Sequence, residues 1–139
     1  MKAILTFLIF GFALQASAQI DINALPGNWC ISKIVNAQAA EEQIPEVDLQ
    51  EMIADMMGAV FHFTKDNRFT VIEEDMTLED ALKDALTFVH VKEEQILEME
   101  DPETGELILF QLVKVSKTEL VFRVYESVFG FEMTFVRCA

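Results

Sequence analysis

The chain has 139 residues, 52% of them hydrophobic, and carries 24 acidic against 10 basic side chains for a formal net charge of −14. A length in this range suits one domain around one core, not two. Such a surface repels phosphate backbones and anionic headgroups, so nucleic acid and acidic membranes are poor candidate partners; the simpler use of the charge is to keep an apolar-rich chain in solution.

In chain order, residues 1–18 come first and read as a secretory leader. They carry a single lysine, Lys2, an apolar stretch from Ala3 to Leu14, and Ala16-Ser17-Ala18 as an A-x-A cleavage signal. The apolar stretch is shorter than the ~20 residues of a membrane-spanning helix, so no membrane anchor is expected after cleavage. No cysteine follows the cleavage site to carry a lipid. The expected product is a soluble domain, 19–139, with 9 basic against 24 acidic residues, secreted or periplasmic.

Strand signals then recur between short polar turns, at 27–35, 59–64, 68–74, 86–92, 95–100, 106–115, 119–126 and 129–137. Turns such as Lys65-Asp66-Asn67, Glu93-Glu94 and Ser116-Lys117-Thr118 are tight enough for antiparallel hairpins and leave no room for parallel crossovers. Two longer connections interrupt the meander. Between strands 1 and 2, Pro45-Glu46 introduces Val47, Leu49, Met52, Ile53, Met56 and Met57 at helical spacing, ending at Gly58. Between strands 3 and 4, Thr77 caps a short run of helix formers, with Asp80 at the capping-box position. The predicted fold class is all-β, an eight-stranded antiparallel up-and-down barrel with these two short helices.

Alternation assigns the inner face. Phe129, Phe131, Met133 and Phe135 share a face with Arg137 in the last strand, and Leu120, Phe122 and Val124 form the apolar face of the strand before it. Phe61, Phe63, Phe69, Val71, Val89, Leu97, Met99, Phe110 and Leu112 complete the expected interior. A barrel of this size is filled by side chains or holds one small ligand, and the pattern alone fits both.

Gly27-Asn28-Trp29 at the start of the first strand and Arg137 at the end of the last resemble the signature of the lipocalins and their small bacterial lipocalin-like relatives, members of the calycin superfamily. The classical T-D-Y-like middle motif is missing, which places the resemblance with the divergent lipocalin-like group. It implies that Trp29 plugs the closed end of the barrel with the Arg137 guanidinium across its indole, a contact favoured by the ring quadrupole. It also implies that strands 1 and 8 are neighbours. Cys30 and Cys138 follow the two motif residues, so with Trp29 and Arg137 facing one side, both cysteines face the other and a disulfide is expected; two separate thiols are the alternative. The fatty-acid-binding proteins share the barrel and the helix after strand 1, but they are cytosolic, and the leader argues against them.

No constellation with catalytic or metal-ligating spacing is present, so no enzyme activity, metal or cofactor is expected. His62 and His90 stand alone in separate strands, the serines lack a G-x-S-x-G elbow, and Asp101-Pro102-Glu103-Thr104-Gly105-Glu106 has glycine where a calcium loop needs an oxygen ligand. The resemblance implies a carrier: a monomer binding a small apolar molecule through Phe63, Phe69, Leu97, Phe110, Phe122, Phe131, Met133 and Phe135. Arg123, Gln111 or His90 would orient the ligand, and Met52, Met56 and Met57 would form an adaptable lid. The alternative is a filled barrel acting as an interaction or structural protein of the cell envelope.

Overall fold

A computed structural model describes residues 19–138, and the expected leader lies outside them. Eight antiparallel strands close into a barrel in chain order: β1 (Gly27–Asn36), β2 (Val60–Phe63), β3 (Arg68–Ile72), β4 (Leu86–Val91), β5 (Ile96–Glu100), β6 (Leu107–Val115), β7 (Glu119–Glu126) and β8 (Phe129–Arg137). Helix α1 (Glu46–Met56) joins β1 to β2, and α2 (Leu78–Lys83) joins β3 to β4. An up-and-down order puts these two connections, and those from β5 to β6 and β7 to β8, at one end. We call that end the mouth. Strand 3 is two residues shorter than its sequence signal, ending before Glu73-Glu74-Asp75.

The base is closed as the motif implies. Trp29 and Arg137 are register partners, and the Arg137 guanidinium carbon lies 3.9 Å from the indole centroid. Trp29 is fully buried, with Nε1 donating to the Leu25 carbonyl at 2.9 Å. Arg137 donates in turn to the carbonyls of Pro26 (2.8 Å), Ala24 and Lys117 (3.0 Å), tying the 3-10 turn Ile22–Ala24 and the β6–β7 turn across the plug. Gly27 has φ +130°, which side-chain-bearing residues rarely adopt, and a Cβ there would press on the Arg137 guanidinium. On the other side of the wall Cys30 and Cys138 form a disulfide with Cα atoms 5.8 Å apart.

Two bulges keep the interior apolar. In β1 the register shifts between Ile31 and Lys33, so the inward set changes from Trp29 and Ile31 to Ile34 and Asn36. In β6 the shift between Leu112 and Lys114 passes the inward role from Ile108, Phe110 and Leu112 to Val115. One strand faces opposite to expectation: in β4 it is Phe88, paired with Met99, that is buried, while Val89, paired with Glu98, is 63% exposed. Both phases of Leu-Thr-Phe-Val-His-Val are apolar, and the polar Glu98 opposite Val89 decides between them.

Helix α1 lacks a side-chain N-cap but carries Glu46 and Asp48 in its first turn, where the helix dipole favours them. Its buried stripe is narrower than the apolar spacing indicated. Leu49 is buried, with Met52, Ile53 and Met56 packed against the core. Val47 and Met57 are exposed, and Met57 has already left the helix in an extended conformation. Helix α2 begins as expected, Thr77 accepting from the Asp80 amide at 3.2 Å, and it rests on the outer face of β3 through Thr70 Oγ1 donating to the Ala81 carbonyl at 2.8 Å.

Candidate functional site

The eight residues expected to touch a ligand, Phe63, Phe69, Leu97, Phe110, Phe122, Phe131, Met133 and Phe135, are all buried in one core cluster. Their rings meet one another. Phe110 stacks on Phe122 with centroids 4.3 Å apart, Phe122 on Phe135 at 5.1 Å, and Phe69 touches both Phe63 (4.9 Å) and Phe110 (5.4 Å). Phe61 joins Phe135 at 4.7 Å. Such ring-on-ring contact is how a small barrel fills itself with side chains.

Open space lies in the wall instead. The β6–β7 ladder runs from Val115↔Leu120 to Gln111↔Arg123 and stops there, although β6 goes on pairing with β5 as far as Leu107 and β7 with β8 as far as Glu126. Between the parted strands is a cleft of about 480 Å³. Its lining comes from both faces of the wall: Ile108 and Val124 from the inner one, Leu107, Leu109 and Tyr125 from the outer. The cleft is therefore a slot through the barrel side near the mouth. Gln111, Arg123, Glu106 and Glu126 supply its polar edge.

Two packing details shape this slot. Gly130 is the register partner of Tyr125, and a Cβ on Gly130 would come within 2.6 Å of the Tyr125 ring, so the glycine makes room for that ring over β8. Arg123 Nε donates to Glu132 Oε1 at 3.1 Å, fixing the one cation of the lining.

The segment before α1, expected to lead into a lid, is held by a residue that spacing did not single out. Asn36, inward at the end of β1, donates through Nδ2 to the Ile44 carbonyl at 2.8 Å and accepts from the Ile44 amide at 2.9 Å. This pair of bonds pins the segment before α1 to the rim, from which Leu49, Met52, Ile53 and Met56 reach the core.

Among the polar residues expected to orient a ligand, Arg123 and Gln111 are at the slot, on the outer face, whereas His90 faces inward at the other end. His90 Nε2 is 2.8 Å from Gln95 Oε1, beside a second cleft of about 430 Å³ between the 3-10 turn and the β2–β3 turn. His62 is on the outer face with Nδ1 2.6 Å from Asn28 Oδ1, and burial pulls its pKa below the ordinary histidine value. Among the described residues no group of three or more His, Cys, Asp or Glu side chains could hold a metal, and no helix is long and apolar enough to cross a membrane. The apolar slot residues on β6 escaped the sequence reading, and the signal that could have found them is Leu107-Ile108-Leu109, apolar on both faces of one strand. No family model, curated protein or solved structure matches the chain.

Proposed function

We propose that the protein is an exported, monomeric, lipocalin-like carrier of a small apolar or amphipathic molecule, taken up through the slot between β6 and β7. The observation that carries this reading is the end of the β6–β7 ladder at Gln111 and Arg123, which leaves a cleft of about 480 Å³ walled by inner-face and outer-face apolar side chains. Ligand sites of roughly 300–1,000 Å³ are of this kind, mostly apolar with a few polar groups fixing orientation. The Trp29–Arg137 plug supports membership of the lipocalin-like group, and the disulfide supports residence in an oxidising compartment, secreted or periplasmic. The phenylalanine-packed base acts as the rigid floor, and the apolar part of the ligand sits above it.

A filled barrel working through its surface is the second reading. It is favoured by Val89 and Leu109, exposed and flanking Glu98 across three adjacent strands. Native mass spectrometry of protein purified from its own host separates the two. A bound small molecule, lost from a Leu109→Arg variant that still folds, supports the carrier; ligand-free protein that retains a protein partner after cross-linking overturns it.

A further inference from the structure

Resting on the carrier reading, we propose that the slot selects amphiphiles with a positively charged head over anionic ones of the same chain length. Segments 37–59, 73–85 and 100–106, together with Glu126, hold 17 acidic side chains and a single basic one, Lys83. Each of those connections leaves the barrel at the mouth end, and helix α2 of the second then folds back over the outer face of β3. The rest of the chain from residue 19 onward holds 7 acidic and 8 basic residues. The excess negative charge of the protein is thus carried by the connections that leave the barrel at the end where the slot opens.

Within the slot the polarity is the same. Arg123 would be the anchor for an anionic head, but its guanidinium is already engaged by Glu132. Glu106 and Glu126, by contrast, form no ion pair among the described residues. Tyr125 lines the slot with nearly half its surface open, and an aromatic ring offers a cation its negative face. An alkyl chain can lie along Leu107, Leu109, Ile108 and Val124 while a cationic head rests between the two free carboxylates. A sulfate or carboxylate head in that place meets like charge on both sides and no free cation.

Screening divides the contributions. At physiological salt the Debye length is about 8 Å, so the lining carboxylates act on a bound head while the more distant acids mainly steer approach. Selection should therefore weaken with salt.

The test uses the leader-free protein and three probes that share one chain, decyltrimethylammonium, decyl sulfate and decanol, below their micellar concentrations, by titration calorimetry. The expected result is that the cation binds at least about tenfold tighter than the anion at low salt, with the ratio shrinking in about 0.5 M salt and in the Glu106→Gln/Glu126→Gln variant. Both substituted side chains are exposed, so the fold survives the change. Equal binding of the three probes, or tighter binding of the sulfate, overturns the charge selection and leaves the carrier reading standing. A preference undiminished in the double variant overturns the slot as its source. Failure of all three probes to bind overturns the selection and the carrier reading together.

Discussion

Removing the plug tests the barrel closure with a number attached. Trp29 is fully buried at the base, and an aromatic of its size hides ~150–250 Å². At ~25 cal/mol per Å² that area is worth about 4–6 kcal/mol, and observed truncations of buried aromatics to alanine cost about 3–5 kcal/mol. Trp29→Ala additionally deprives the Leu25 carbonyl of its donor and Arg137 of the ring beneath it. We expect a loss of about 4–5 kcal/mol, near the upper part of that range. Trp29→Phe separates the components in part, because a benzene ring stays while the Nε1–H bond goes, for about 1–3 kcal/mol, together with the smaller loss of the remaining indole area. Urea unfolding followed by circular dichroism measures both, since the alanine variant has no tryptophan left to report by fluorescence. A cost under about 1 kcal/mol for the alanine variant would refute a buried plug, and equal costs for the two variants would refute the division between ring burial and hydrogen bond.

Replacing Cys30 and Cys138 by serine opens a loop with a sequence separation of 108, for which the chain-entropy ceiling is about 5 kcal/mol. The variant should still fold through the β1–β8 ladder, with a lower urea midpoint; an unchanged midpoint contradicts the bridge. Asn36→Leu removes both bonds to Ile44 and should cost about 1–3 kcal/mol, with faster hydrogen exchange confined to the segment before α1; unaltered exchange at Ile44 would show that this segment is held otherwise. Burial lowers the pKa of His62 in the folded state, so between that value and the ordinary 6.5 the unfolded chain binds more protons. The contribution is complete above pH 6.5 and is lost as pH falls through that window. His62→Gln should flatten the stability profile there, and an identical profile in the variant rules the histidine out as its source.

The number of strands and most of their ends were legible because polar turns punctuate apolar runs at nearly every boundary. The Trp29–Arg137 contact and the disulfide were legible for a related reason, that two pairs of residues made the same demand on strands 1 and 8. What escaped depended on partners rather than on the strand itself. The direction of β4 turns on Glu98 standing opposite Val89, and the bulges at Ser32 and Val113 have no glycine or proline to announce them. In α1 the sequence run ending at Met56 and Met57 looked continuous, yet the helix stops at Met56 and Met57 turns out in an extended conformation, so only Met56 stays packed against the core. The slot was the least legible feature, because nothing in β6 or β7 alone says where their pairing stops. The phenylalanines drew attention to the interior, where they satisfy one another.

The most direct test of the slot as the binding site is a titration of the ¹⁵N-labelled, leader-free protein with decyltrimethylammonium, followed by amide chemical shifts. We expect saturable changes concentrated at Leu107, Ile108 and Leu109 on β6 and at Arg123, Val124 and Tyr125 on β7, with Trp29 and the base left in place. Changes centred instead on Phe63, Phe69 and Leu97, or spread over the outer wall without saturation, would contradict binding at the slot.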